Sequence, residues 1–208
     1  MNLKKPKVLK CIPQKFLDCI DDNIFSNYIF QENVENDIRI VDVTFDSCIF
    51  NHIDFSNIEL DNVDLVDVIF DGCDLSNKTF EMKLINRVVF KNCKMIGTSF
   101  IGASLRDVLF DNCMTKYLNF SSSSINNLLI KDSDLKEASF LEAKIKNIEF
   151  HKVNLYRAEF IKTNLEGVDF STSDIGGTIF DFQSLKGIIV DGYQSQSIVG
   201  MLGVNIKE

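Results

Sequence analysis

The sequence has no tryptophan, only two histidines, and no apolar run long enough to be a signal peptide or to span a membrane. The protein is therefore expected in the cytoplasm, with no membrane partner. A Gly-rich phosphate loop, a zinc motif and a nucleophile elbow are also missing. The histidines, His52 and His151, lie five coils apart on the repeat described below, roughly 24 Å at strand spacing and too far to share a substrate. Carboxylates are plentiful, but on a convex rod they lack the desolvated pocket that would shift a pKa. These absences argue against an enzyme, a cofactor or a metal. Basic residues are the scarcer charge, 22 against 30 acids for a formal net charge of -8. Lys4, Lys5, Lys7, Lys10 and Lys15 make a basic start, either a nucleic-acid arm or a solvated tail. Beside an otherwise acidic chain the solvated tail is preferred, and no direct nucleic-acid partner is expected.

What the sequence does contain is a lattice. From Ile40 to Val190, every residue whose number is a multiple of five belongs to one series of fourteen Phe, eight Leu, six Ile, Val190, Met95 and Thr115. Two residues before each sits a smaller or β-branched series, among them Val43, Cys48, Val63, Cys73, Ala103, Ala138, Val153 and Thr163, with Lys78, Lys83 and Gln183 the main departures. A period of five fits neither helix nor strand, so it must be read as an internal repeat. A five-residue unit cannot bury its own apolar residue and has to stack on copies of itself, each step forming one side of a coil. Eighteen Phe and 45% hydrophobic residues in 208 suit one elongated domain. Four of the six cysteines (Cys48, Cys73, Cys93, Cys113) occupy the small inward position, where a free thiol acts as a compact hydrophobe.

The unit small-(Asp/Asn)-(Leu/Phe)-x-x is cleanest in Val63-Asp64-Leu65, Cys73-Asp74-Leu75, Val153-Asn154-Leu155, Thr163-Asn164-Leu165 and Val168-Asp169-Phe170. It resembles the pentapeptide-repeat family over about three quarters of the chain, without a frameshift. The resemblance implies an all-β fold, a right-handed quadrilateral β-helix with four pentapeptides per coil. The central Phe or Leu and the residue two before it would both point inward. Residues 1–37 are expected to be a tail and an irregular capping coil, with Ile20, Phe25 and Phe30 in phase and Glu35 out of character. Residues 38–192 would be the β-helix, and 193–208 a helical dimerisation tail. Residues twenty apart should lie one above the other at roughly 4.8 Å, giving nearly eight coils and a rod on the order of 37 Å long. No step is missing, so no projecting loop is expected between 40 and 190.

The lattice sorts the charges. The face through Ile40, Leu60, Phe80 and Phe180 has seven acids to three bases, and that through Phe50, Phe70, Phe90 and Val190 has six to three. The other two faces are close to neutral. Acidic sides on a regular rod imitate the phosphate rows of a duplex and offer a DNA-binding protein the electrostatic part of its affinity. The candidates are Asp42, Glu59, Asp61, Glu81, Asp71, Asp111, Glu149 and Asp169. After Val190 the period stops, and Tyr193, Ile198, Val199, Met201, Leu202, Val204 and Ile206 form an apolar tail with helical spacing at its start. The tail is expected to cover the last coil's open edge and to meet a second copy. This ending, with Asp191, Tyr193-Gln194 and Leu202-Gly203-Val204, is similar to the quinolone-resistance (Qnr) branch of the family. That similarity implies a homodimer joined tail to tail. It further implies a rod that occupies the DNA-binding saddle of bacterial DNA gyrase or topoisomerase IV and protects the enzyme from quinolones or toxins.

An alternative is a non-catalytic scaffold or protein-interaction module. Just before the core positions of the Phe50 face, Ile49, Ile69, Val89, Leu109 and Leu129 form a row, either cross-strand packing or an exposed apolar stripe for a partner. Cys73, Cys93 and Cys113 repeat every twenty residues, but strand spacing would hold their sulfurs apart with no fourth ligand, so packing is preferred to a metal site. Thr115, the one polar residue on the core series, marks an irregularity near the middle of the rod.

Overall fold

The computed structural model describes residues 1–18 and 23–205. Ile20 and Ile206, assigned above to the first coil and the apolar tail, lie outside the described residues. The backbone is a right-handed quadrilateral β-helix of about eight turns ending in one short helix. From Ile24 to Phe180 each ladder is parallel and pairs a residue with the one twenty later, as in Leu65 with Ile85, Phe90 with Phe110 and Phe160 with Phe180. No helix among the described residues is long and apolar enough to cross a membrane.

Register makes the core. Phe30, Phe50, Phe70, Phe90 and Phe110 stack with ring centroids 4.7–5.2 Å apart. Phe80, Phe100, Phe120, Phe140, Phe160 and Phe180 form a second column at 4.7–5.6 Å. The columns meet edge to face, as in Phe100 against Phe110 at 6.2 Å, the geometry ring quadrupoles favour. The slot two residues earlier holds small side chains, several of which also carry a donor. Cys48 Sγ donates to Phe25 O at 3.0 Å, Thr98 Oγ1 to Leu75 O at 2.8 Å and Thr178 Oγ1 to Leu155 O at 2.8 Å. Thiol and hydroxyl thus satisfy the same buried carbonyl, 23 residues upstream in each case. The Asp or Asn before the core residue closes the corner: Asp54, Asp74 and Asp174 each accept the N–H two residues on, at 2.8–3.0 Å. Most corners also place the residue two after the core position in the left-handed region, with φ of 48–67° at the non-Gly corners from Asp42 to Lys162.

Two departures from strict repetition have packing causes. Thr115 is fully buried and donates its hydroxyl to Asp134 O at 3.0 Å, while Leu118, in the usually small slot, is equally buried. The two positions have exchanged volume, so the irregularity is a repacking of one level. Near the C-terminal end the expected lattice slips: Gln183 is exposed, and Ser184 takes the inward place, its Oγ accepting from Thr163 N at 3.1 Å. The slip is local, a turn excursion over 182–187 between levels that keep the twenty-residue register, Phe180 on Phe160 and Ile189 on Asp169, and it leaves Phe182 81% exposed. An uninterrupted lattice to Val190 was expected; Phe180, Leu185 and Val190 are only half-buried.

The ends are capped differently. Ile12–Pro13 pairs with Tyr28–Ile29 at an offset of sixteen instead of twenty. Phe16, which is off the lattice, closes the core by stacking on Phe30 at 4.3 Å. At the other end Asp191 caps the helix Gly192–Met201, accepting from Tyr193 N and Gln194 N, while Gln194 Oε1 accepts from Asp191 N at 2.9 Å. The amide of Gln194 then donates to Phe170 O and Ser173 O at 2.9 and 2.7 Å, covering part of the open edge.

Phe100→Ala should lower stability by about 3–5 kcal/mol in urea unfolding, because it opens a cavity in the second ring column. Phe182→Ala, outside the core, should change it by less than about 0.5 kcal/mol.

Candidate interaction surfaces

The acidic candidates divide by register. On the Phe50 face, Asn51, Asp71, Lys91, Asp111, Lys131 and His151 pair one above the other. From Asp71 to Lys131 the signs alternate, and the ions meet: Lys91 Nζ lies 3.6 Å from Asp71 and Lys131 Nζ 2.9 Å from Asp111. This row neutralises itself, so the excess of acids on the face does not give an unbroken negative stripe. Glu149 lies 3.3 Å from His151 Nε2 and 2.6 Å from Met1 N. Asp169 is exposed and accepts from Ser171 N at 2.8 Å.

The Ile40 face is different. Arg39 reaches Glu59 at 3.3 Å and Asp61 at 2.7 Å, and Lys162 reaches Glu142 at 2.6 Å. Asp42 accepts from Asn62, and Glu81 from Ser99 Oγ at 2.8 Å. Among the described residues Asp42, Glu81, Glu159 and Asp181 have no ion pair. They stand in two blocks separated by a neutral stretch containing Ser99, Asn119, Ser121 and Ser122.

The apolar row is in register, Ile49 over Ile69, Val89, Leu109 and Leu129, and it continues to Ile29 below and Glu149 above. Left open in the sequence between cross-strand packing and an exposed stripe, the row is half-buried at all five positions. By contrast Leu84, an outward aliphatic elsewhere on the same sheet, is 41% exposed. Two residues before the row runs the column Asp67, Arg87, Asp107 and Asn127, at the bend of eight-residue strands that join two faces into one sheet. Asp67 and Asp107 are only 5% and 4% exposed although they sit on a corner. The N-terminal segment lies along this column. Met1 N is at Glu149, Lys7 N donates to Asp67 Oδ1 at 2.9 Å, and Cys11 Sγ donates to Ser47 O at 3.2 Å. Its lysines are exposed, in keeping with a solvated tail, but the backbone follows the rod and Leu3, Pro6 and Val8 are half-buried.

Arg87 grips Asp67 with Nε and Nη2, both at 2.6 Å. Burial works to raise the Asp67 carboxyl, but the Arg87 guanidinium and the Lys7 amide outweigh it and hold the group below its ordinary value of 3.8. This column escaped the sequence reading, which summed charge by face; the twenty-residue recurrence at 67, 87 and 107 was the signal available.

Among the candidate dimerisation residues, Ile198 and Val199 are half-buried, Tyr193 is 86% exposed, and Met201, Leu202 and Val204 are 42–53% exposed. Phe182, Leu185, Ile198 and Leu202 line an open cleft beside the last coil. The cysteine column holds thiols donated to carbonyls, Cys73 to Phe50 O and Cys113 to Phe90 O, both at 3.3 Å. The Cys113 thiol is pushed up by the neighbouring Cys93 and by burial, which opposes the thiolate a metal would need. Among the described residues no cluster of three or more His, Cys, Asp or Glu could hold a metal ion.

Comparison with known proteins gives two family models. One, described as a pentapeptide repeat region, matches residues 63–140, and one, pentapeptide repeats (8 copies), matches 39–77 and 132–171. No curated protein matches. Solved structures similar to the chain include a trypsin-treated variant of QnrB1, a plasmid-mediated fluoroquinolone resistance protein. It shows 19% identity over 89% of this chain and 97% of that one, with a TM-score of 0.45. HetL, a pentapeptide repeat protein involved in heterocyst differentiation regulation in the cyanobacterium Nostoc sp. strain PCC 7120, shows 15% identity over 80% and 89%, with a TM-score of 0.30. A pentapeptide repeat protein of the Arabidopsis thaliana thylakoid lumen shows 19% identity over 56% and 80%, with a TM-score of 0.17.

The Asp67 pair makes a pH-dependent contribution. A depressed carboxyl stabilises the fold above its unfolded value, and that contribution disappears as pH falls below 3.8 through the folded value. Asp67→Asn, which tolerates the corner's positive φ, should therefore cost about 2 kcal/mol at pH 6. The difference from the unmodified protein should close as urea unfolding is repeated at pH values below 3.8.

Proposed function

This chain belongs to the pentapeptide-repeat family, and from that premise we propose that it is a non-catalytic DNA mimic. Its target is a bacterial type II topoisomerase, DNA gyrase or topoisomerase IV, which it protects from quinolones or toxins. The observation that carries this reading is the set of carboxylates without ion pairs on the Ile40 face, Asp42, Glu81, Glu159 and Asp181. Such groups attract a surface evolved for phosphates, whereas the alternating row from Asp71 to Lys131 has spent its charge internally. Two copies joined through Tyr193, Met201, Leu202, Val204 and the exposed Phe182 would double the length of the acidic face. A second reading, a protein-interaction module built on the row Ile49 to Leu129, is favoured by the register of five aliphatic side chains and by the N-terminal segment that runs along the neighbouring Asp67 column.

In a gyrase supercoiling assay with a fluoroquinolone, the purified protein should restore supercoiling, and restoration should weaken as salt rises. Replacing Asp42, Glu81 and Glu159 by their amides should raise the protein concentration required by roughly tenfold or more, while Asp71→Asn with Asp111→Asn should change it little. No restoration by the unmodified protein at either salt concentration, with gyrase or topoisomerase IV, removes the proposal. Sedimentation should give a dimer that Leu202→Glu with Tyr193→Glu converts to a monomer.

A further inference from the structure

The N-terminal segment reads as an occupant of a track. Its path is fixed at Glu149 by Met1, at Asp67 by Lys7, at Ser47 by Cys11, and at Tyr28–Ile29 by Ile12–Pro13. From the level of Glu149 to that of Asp67 is four coils, roughly 19 Å. The six steps from Met1 to Lys7 span roughly 20 Å when fully extended. The segment is therefore stretched along the rod axis, and interpolation brings Lys4 to the level of Asp107.

Three properties of this stretch go together. First, Asp67 and Asp107 are almost fully buried, whereas corner residues such as Asn92 and Asn112 on the next column are exposed. Something covers the Asp67 column, and the segment is what runs there. Second, the two surfaces are complementary. The segment offers Leu3, Pro6 and Val8, half-buried, among Lys4, Lys5, Lys7 and Lys10, while the rod offers an aliphatic row beside Asp67, Asp107 and Glu149. Third, its attachment is slight. The backbone ladder to the rod starts with Ile12 N to Asn27 O and Gln14 N to Ile29 O, and before that Lys7 N bonds a side chain. A segment held by few backbone bonds opens far more easily than the stacked coils.

The geometry points to a peptide-docking track formed by the row Ile49–Leu129 and the column Asp67–Asn127, which residues 1–10 occupy as a releasable cover. The partner it fits is an extended segment of another protein with lysines interspersed among aliphatic residues and proline, the chemistry of the resident segment. Tethering gives the resident an effective concentration of about millimolar, so it excludes an identical free peptide until it is released.

Release is achieved without touching the rod by Leu3→Asp with Val8→Asp. The probe is a synthetic peptide with the sequence of residues 1–10, dye-labelled at its C-terminus and followed by fluorescence anisotropy. The proposal expects the release variant to bind it at least tenfold more tightly than the unmodified protein, and Leu109→Glu added to the release variant to abolish binding. Equal affinity for both proteins, absence of binding to the release variant, or binding unaffected by Leu109→Glu overturns it. Amide exchange gives an independent reading, since the Lys7 N–H should be protected in the unmodified protein and unprotected in the release variant. Protection unchanged by the substitutions would also overturn the proposal. If sedimentation shows that the release variant loses a dimer the unmodified protein forms, the track's occupant is the segment of a second copy and the partner proposed here is wrong.

Discussion

Everything in this molecule follows from one spacing. Parallel strands lie roughly 4.8 Å apart, and each coil of twenty residues returns a side chain to the place above its predecessor. Aromatic rings happen to stack well at that separation, so a column such as Phe70, Phe90 and Phe110 fills the interior without any ring leaving its plane. The same return fixes what the corners must do. A chain that turns four times per coil needs a local acceptor for the turn's N–H and a residue tolerant of positive φ. Asp, Asn and Gly supply these in most units, and corners such as Arg87 and Tyr117 show that stacking can also impose the left-handed conformation on residues that resist it.

Stacking has a cost outside. Like charges in one column sit about one strand spacing apart, where they repel by about 1 kcal/mol even in water. The Asp71–His151 and Asp67–Asn127 columns answer this by alternating sign or substituting an amide, and their acids are consequently tied up. On the Ile40 face the acids share columns instead, Asp61 with Glu81 and Asp181, Glu59 with Glu159, and Asp42 with Glu142, and only along the axis do serine and asparagine separate one block from the other. Arg39 and Lys162 take up Glu59, Asp61 and Glu142 there, but Asp42, Glu81, Glu159 and Asp181 are left without an ion pair, which is why the proposed mimicry is placed on that face and not on both.

The sequence displayed nearly all of the coil because a lattice repeated thirty-one times needs no tertiary information to be seen. It hid what depends on single contacts. The exchange of volume between Thr115 and Leu118 shows only when both slots are known to point into one level. The slip from Gln183 to Ser184 occurs where the hydroxyl is a better partner for Thr163 N than a long amide inside a small slot. Phe16 caps the first coil from off the lattice, and residues 1–10 have no period at all, so nothing in their order announces that they lie against Asp67. Counting acids by face was a coarser use of the repeat than its register allowed, since the alternation of Asp71, Lys91, Asp111 and Lys131 is written at twenty-residue spacing.

The two ends of the rod are not equivalent, and the difference bears on where two copies would join in the proposed dimer. At the start, the outermost strand is Ile12–Pro13; proline has no N–H to offer a further strand, and Phe16 closes the core beneath it. Such an edge is blunted against pairing. At the finish, Gln194 satisfies Phe170 O and Ser173 O, yet Phe182 and Tyr193 remain more than four fifths exposed, at 81% and 86%. A helix with no buried residue and apolar side chains around it offers a second apolar surface a place to pack, whereas at the other end Ile12, Leu17 and Ile24 are also exposed but Pro13 closes the edge to strand pairing. In the proposed dimer the contact would run through this end, and a surface that closes on itself there would yield a pair in place of a fibre.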